Sequence, residues 1–193
     1  MEQSMPFVTV VSGYPRSGTS LMMQMLAAGG LAVLVDDVHR TDEHNPRGYY
    51  EYGAALRLGR EGETTDWVAE ARGKAVKVIA YQLRHLPAHL EYRVIFMRRT
   101  IAEVLASWDK MGLTRADCAL SERERVLSFK AEYAVYEAQL QRRPNMRVLY
   151  VQYNDVVADP VGAAGSVAEF LGLELDVAAM AASVDPALYR NRA

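Results

Sequence analysis

One stretch, Val8 to Leu26, limits the possible folds more than any other part of the chain. It reads VTVVSGYPRSGTSLMMQML: β-branched residues, then a turn-forming run, then apolar residues at helical spacing. Val8, Thr9, Val10 and Val11 suit a buried strand, because branched side chains pack well on a pleated surface. Leu21, Met22, Met25 and Leu26 fall on one face of a helix. Between them, Gly13-Tyr14-Pro15-Arg16-Ser17-Gly18-Thr19-Ser20 lets the backbone curl so that successive N–H groups face one point. Such a loop opening onto a helix N-terminus is a ready anion cradle, since the helix dipole also favours negative charge there.

The rest of the composition narrows the class. With 193 residues, 50% of them hydrophobic, the chain fits one domain, 1–193, with its own core. A net charge of −2 argues against nucleic acid as a partner, so a polyanionic ligand would have to meet a local cluster of cations. The single cysteine, Cys118, excludes an internal disulfide, and no Cys/His grouping has zinc-like spacing. No apolar run approaches the roughly 20 residues of a membrane span. Met1 to Pro6 has neither a charged n-region nor an apolar h-region. The expectation is a cytoplasmic protein with no membrane partner.

Apolar strands alternate with helices along the chain. Strands are expected at 7–12, 31–35, 75–79, 92–97 and 147–152. Helices are expected at 18–29, near 50–60, at 101–111, 121–142, 160–171 and 176–182, with a short helical piece near 86–90 and a loose stretch around Trp67. This order predicts an α/β fold of three layers, a central, mainly parallel sheet covered on both faces, like that of P-loop nucleoside triphosphatases. In helix 121–142, Ser121 and Glu124 form a capping box, while Val126, Phe129, Tyr133, Tyr136 and Leu140 make a packing stripe.

A second constellation follows strand 92–97. Tyr92-Arg93-Val94-Ile95-Phe96-Met97-Arg98-Arg99 delivers two arginines at the strand's end. Thr100 and Glu103 read as another capping box, opening a helix that packs through Ile101, Val104, Leu105 and Trp108. Ser107 lies about 10 Å along that helix from Thr100. Ligands of open α/β sheets sit at the carboxyl ends of the strands, where Arg99 must be. An arginine fork and a hydroxyl aimed at that edge suit a phosphate monoester.

The glycine loop has a Walker A outline, but Thr19 stands where the lysine would be, and the loop's cation is Arg16. Pro15-Arg16-Ser17-Gly18-Thr19-Ser20 instead resembles the first loop of the sulfotransferases that use 3′-phosphoadenosine 5′-phosphosulfate (PAPS). Their pattern is Pro-(Lys/Arg)-Ser-Gly-Thr-(Thr/Ser), and the arginine form is similar to that of the tyrosylprotein and carbohydrate members. Arg99 and Ser107 match the family's Arg-x7-Ser spacing, with Glu103 and Val104 at the usual acidic and apolar places, though Ile101 replaces the usual proline. Val148 to Val151, Tyr153-Asn154-Asp155, Asp159-Pro160 and Glu169-Phe170-Leu171-Gly172 are also similar to the family, so the resemblance runs from Val8 to Leu173.

The resemblance implies a small bacterial-type sulfotransferase that takes a sulfuryl group from PAPS, releases adenosine 3′,5′-bisphosphate (PAP) and needs no metal. It implies that Arg16 stabilises the departing oxygen, that Ser17 to Ser20 hold the 5′-phosphate and that Arg99 and Ser107 hold the 3′-phosphate. Ala75-Val76-Lys77-Val78-Ile79 resembles the strand that ends Lys-Thr-His in cytosolic members, which makes Lys77 catalytic but leaves Ile79 in the histidine's place. The base then has to come from elsewhere. Glu51 is the first candidate, because a desolvated glutamate beside cations can be poised as a base. His39, Glu43, His44 and His85 are weaker ones. The family's closing Arg-Lys-Gly-x-x-Gly segment is absent, and Arg190 and Arg192 could grip the nucleotide in its stead.

The acceptor is expected to be a hydroxyl or amine on a small molecule or conjugate. Two other readings stay open from sequence. A P-loop kinase or other NTP-dependent phosphotransferase would need Mg²⁺ and an acid at a strand end, for which Asp36 and Asp37 after Val35 would serve. A non-catalytic nucleotide-binding module would bind the donor without turnover.

Overall fold

The computed structural model describes residues 6–36, 41, 45, 47–112 and 120–188. Four strands, β1 (Phe7–Gly13), β2 (Ala75–Lys77), β3 (Glu91–Arg98) and β4 (Met146–Gln152), pair in the order β2-β1-β3-β4. All the pairings are parallel: Val10 stands opposite Val76 on one side and Val94 on the other, and Val94 stands opposite Val148. The first strand of the chain is therefore central, and all seven of its residues are buried.

Helices cover both faces, and the alternation of the strands sorts the core in two. Val8, Val10, Val76, Tyr92, Val94 and Phe96 pack on one side. They meet α2 (Gly53–Arg57), α3 (Asp66–Glu70) and the end of the long helix α5 (Glu122–Gln141). Phe7, Val11, Ala75, Ile95 and Met97 pack on the other side. Their partners are α1 (Thr19–Ala28), α6 (Tyr153–Ala158), α7 (Pro160–Leu171) and α8 (Val177–Ala182). A third cluster joins α4 (Ile101–Lys110) to α5 around Val104, Leu105, Phe129 and the loop residue Tyr14. This is the expected three-layer α/β/α arrangement. None of the described helices is long and apolar enough to cross a membrane.

Several elements differ from expectation between residues 31 and 90. The strand expected at 31–35 is reduced to one bridge, Val33 to Ala75, because its neighbour β2 is only three residues long. The helix expected over 50–60 keeps only Gly53–Arg57, and the glycines that follow, Gly59 and Gly62, stand at φ 85° and 80°. Helix α3 forms where a loose stretch was expected, with Trp67 and Val68 buried. The helical piece expected near 86–90 lies earlier, as a 3₁₀ segment over Ala80–His85. Beyond residue 90 the elements agree closely, save that α6 forms where no element was expected. The Ser121–Glu124 capping box forms with both of its arms.

Candidate active site

The glycine loop joins β1 to α1 at the carboxyl edge of the sheet. Gly13 stands at φ 144°, and a Cβ there would lie 2.5 Å from Ser17 Oγ and 2.6 Å from the Met97 carbonyl oxygen. Gly18, at φ 98°, is the N-cap of α1, and a Cβ there would sit 2.5 Å from the Tyr153 ring. Both positions admit only glycine, on backbone conformation and on space. No side chain caps α1, and Met22 N–H donates to Gly18 C=O in its first turn. The N–H groups ahead of it have no partner inside the helix, as at any helix start. Ser17 contributes less than expected, because its N–H and its Oγ both donate to Tyr14 C=O, at 3.1 and 2.7 Å.

Arg16 stands at the centre of the expected constellation. Its Nε donates to Ser107 Oγ at 2.9 Å, and its carbonyl accepts from Arg99 at 3.3 Å. The loop of β1 and the far constellation of β3 and α4 thus meet directly, although 91 residues separate Arg16 from Ser107. Ser107 is buried, and accepting from Arg16 leaves its own O–H to donate.

Arg99 and Glu103 correct one expectation. Thr100 makes no side-chain cap bond, so the second capping box does not form. The Glu103 carboxylate is spent elsewhere: Arg99 Nε donates to Oε2 at 2.7 Å, and Asn154 Nδ2 donates to Oε1 at 3.1 Å. Only 3% of the Glu103 side chain and 8% of that of Arg99 are exposed. The Arg99 guanidinium also lies 4.4 Å from the centre of the Tyr153 ring. A buried arginine needs this much support, because an unpaired guanidinium out of water is costly.

Lys77, at the end of β2, makes a second polar knot with Glu51. Nζ lies 3.0 Å from Glu51 Oε1, with the two side chains 4% and 14% exposed. It donates to the Tyr49 carbonyl at 2.7 Å, which also accepts from Ser20 Oγ at 3.1 Å. Burial pulls the Lys77 amine below its usual pKa, the Glu51 carboxylate partly restores it, and the Arg16 guanidinium lowers it further. The same electrostatics tie Lys77 to the glycine loop, so Arg16, Lys77 and Arg99 form one cationic edge balanced by two carboxylates.

The remaining candidates lie apart or outside the described residues. Asp36, the acid that a kinase would need, accepts the Gly53 N–H at 2.6 Å and so caps α2. His85 ends the 3₁₀ segment, its ring accepting from Arg84 and filling the space beside Gly59. Arg190, Arg192, Asp37, His39, Glu43, His44 and Cys118 fall outside the described residues. Sequence reasoning missed the part of Asn154 in holding Glu103, and that of Trp108, whose indole N–H donates to Pro15 C=O at 3.1 Å. The signal for Trp108 was its position one residue after Ser107, which its apolar spacing concealed.

A glycine loop at the carboxyl edge of a parallel sheet, faced by a buried arginine and a serine, gives the chain a P-loop-like α/β outline. The model of the "Sulfotransferase family" matches residues 57–177, and the chain belongs to that family. The match starts beyond the glycine loop, so the loop's likeness to the family is separate from it. No curated protein sequence matches the chain. Among solved structures it is similar to the sulfotransferase domain of the Synechococcus PCC 7002 olefin synthase, at TM-score 0.58 and 17% identity, covering 100% of this chain and 90% of that one. Sulfotransferase STF1 from Mycobacterium tuberculosis also gives TM-score 0.58, at 13% identity, covering 96% of this chain and 74% of that one. Mouse sulfotransferase SULT7A1, complexed with PAP, gives 0.50 at 14% identity, covering 93% of this chain and 63% of that one. At such identities the likeness speaks for the fold.

Proposed function

We propose that the chain is a sulfotransferase that moves a sulfuryl group from PAPS to a hydroxyl or amine on a small molecule or conjugate, in the cytoplasm and without metal or nucleic acid. The observation that carries this reading is the meeting of Arg16, Arg99 and Ser107 at one point of the sheet edge. PAPS, when bound, supplies an activated sulfuryl group whose leaving group is PAP. The crowded glycines Gly13 and Gly18 suit a backbone cradle for the 5′-phosphate, with Gly18, Thr19 and Ser20 as its core and Ser17 keeping its shape. Arg99 and Ser107 suit the 3′-phosphate, one offering charged donors and the other a hydroxyl proton.

Arg16 lies between the two groups and answers the charge that grows on the departing oxygen. Lys77 brings a second cation from the other side, in a setting dry enough for its charge to count. Glu51, held by Lys77, is the group proposed to take the proton from the acceptor. Arg190 and Arg192 remain proposed contacts to the nucleotide.

Thermal melting with PAP, AMP or ATP/Mg²⁺ tests the reading. A ligand at about 100 times its Kd adds roughly 2.7 kcal/mol of stability. The expected result is a shift with PAP that exceeds the others, lost in Arg99→Ala. Equal shifts with PAP and AMP would overturn the role given to Arg99. Unchanged turnover in Glu51→Gln would remove that residue as the base.

A further inference from the structure

The glycine loop is held from outside by a side chain that the chemistry above does not use. Tyr14 C=O accepts Ser17 N–H at 3.1 Å, closing a four-residue turn with Pro15 and Arg16 at its centre. The proline ring keeps residue 15 at negative φ, while Arg16 stands at φ 74°. A hydrogen-bonded turn with those two signs is type II, whose third position is normally glycine or asparagine. Type I differs by a flip of the central peptide and would suit arginine better, because a side chain disfavours positive φ.

Something must therefore hold the Pro15–Arg16 peptide in the less comfortable orientation. Trp108 Nε1–H donates to Pro15 C=O at 3.1 Å, and the Trp108 ring is itself fixed 5.0 Å from Phe129 of α5, edge to face. Because the peptide is planar and trans, turning its carbonyl toward Trp108 turns the Arg16 N–H to the opposite side. The first residue of the turn is anchored too: Tyr14 Oη donates to Glu132 at 2.7 Å, with the Tyr14 ring among Phe129, Tyr133 and Tyr136.

We propose that Trp108 is a positioning residue for the anion loop. Its indole N–H locks the Pro15–Arg16 peptide against the flip and so sets the direction of the Arg16 backbone and side chain. The consequence for donor binding rests on the sulfotransferase reading; the lock itself does not.

The test uses residue 16 as a reporter of its own φ, in the full chain. Glycine is better than alanine at positive φ and worse at negative φ, and both variants lose the Ser107 bond equally. With Trp108 in place, Arg16→Gly is expected to melt about 2–4 °C above Arg16→Ala. In Trp108→Phe, which keeps a ring beside Phe129 but loses the N–H, that order vanishes or reverses. The same glycine advantage in both backgrounds would overturn the proposal.

A second readout is PAP affinity. Trp108→Phe in the otherwise unchanged chain weakens it about 2- to 10-fold, the size of one hydrogen bond. In the Arg16→Gly background the same change leaves PAP affinity unaltered, whereas an equal loss there would count against the lock. Failure of the unsubstituted chain to bind PAP would overturn the donor reading, and the melting comparison would still decide the role of Trp108.

Discussion

On the Arg99 side of the candidate site, long regular elements lead into Arg99 and carry Glu103 and Ser107; on the Lys77 side, short ones and loops hold the polar groups. Arg99 follows an eight-residue strand, and Glu103 and Ser107 ride a ten-residue helix. Lys77 ends a strand of three residues, and its partners Tyr49 and Glu51 flank Tyr50, which stands at φ 52°. On the proposed reading, the contrast gives each side its task. A rigid frame suits a group that never varies, as the nucleotide of a donor does not. A loop-built side can be reshaped to fit different acceptors without disturbing the frame.

The largest expected effect breaks the rigid side. Arg99→Ala leaves Glu103 buried without its charge partner and is expected to cost about 3–5 kcal/mol in denaturant unfolding. Replacing both, as Arg99→Leu with Glu103→Leu, recovers most of that stability but not PAP binding. If Arg99→Ala unfolds like the parent chain, the pair is not the keystone described.

Next comes the loop-built side. Lys77→Met is expected to lower turnover about 10²- to 10³-fold, the usual size for removing one donor aimed at developing charge, with little change in PAP affinity. It also carries a pH signature. Burial lowers the Lys77 pKa from 10.5, so the unfolded chain binds this proton more readily than the folded one. The parent therefore gains stability relative to Lys77→Met as pH rises through the window below 10.5. A flat difference across that window would show that Lys77 is not desolvated.

Gly18→Ala probes where the two sides share the loop. The positive φ and the overlap with the Tyr153 ring are expected to cost about 2–3 kcal/mol by thermal unfolding. Tyr14→Phe is the gentlest change, removing one hydrogen bond to Glu132 at about 1 kcal/mol and keeping the ring packing. A loss as large as that of Gly18→Ala would mean that the Tyr14 anchor, not the glycine, governs the loop.

The rigid side was also the legible one. Arg99 and Ser107 stand out because a buried strand and an amphipathic helix have periods that place their ends. The Gly13–Ser20 loop is equally plain, since glycines at those steps answer a backbone need. What stayed hidden depends on tertiary choice. Glu103 sits three residues after Thr100, as a capping box requires, yet Arg99 offers its carboxylate a full charge, and Asn154 arrives from 51 residues away to complete it. The Lys77–Glu51 pair could not be read because the segments that join it lack periodicity. Glycines at 59 and 62 follow the short α2, and burial of Trp67 and Val68 makes a helix where a loose stretch was expected.

The central place of β1 also bears on how the chain reaches its fold. Thr9 finds its register against Ala75, and Val10 against Val94, so the VTVV segment has no strand partner until most of the first hundred residues are made. Such distant pairing slows folding, because long loops must close before any contact repays them. Until then, a bare, apolar β-former is open to other chains, so the interval before β3 is made is when this fold is most exposed to mispairing.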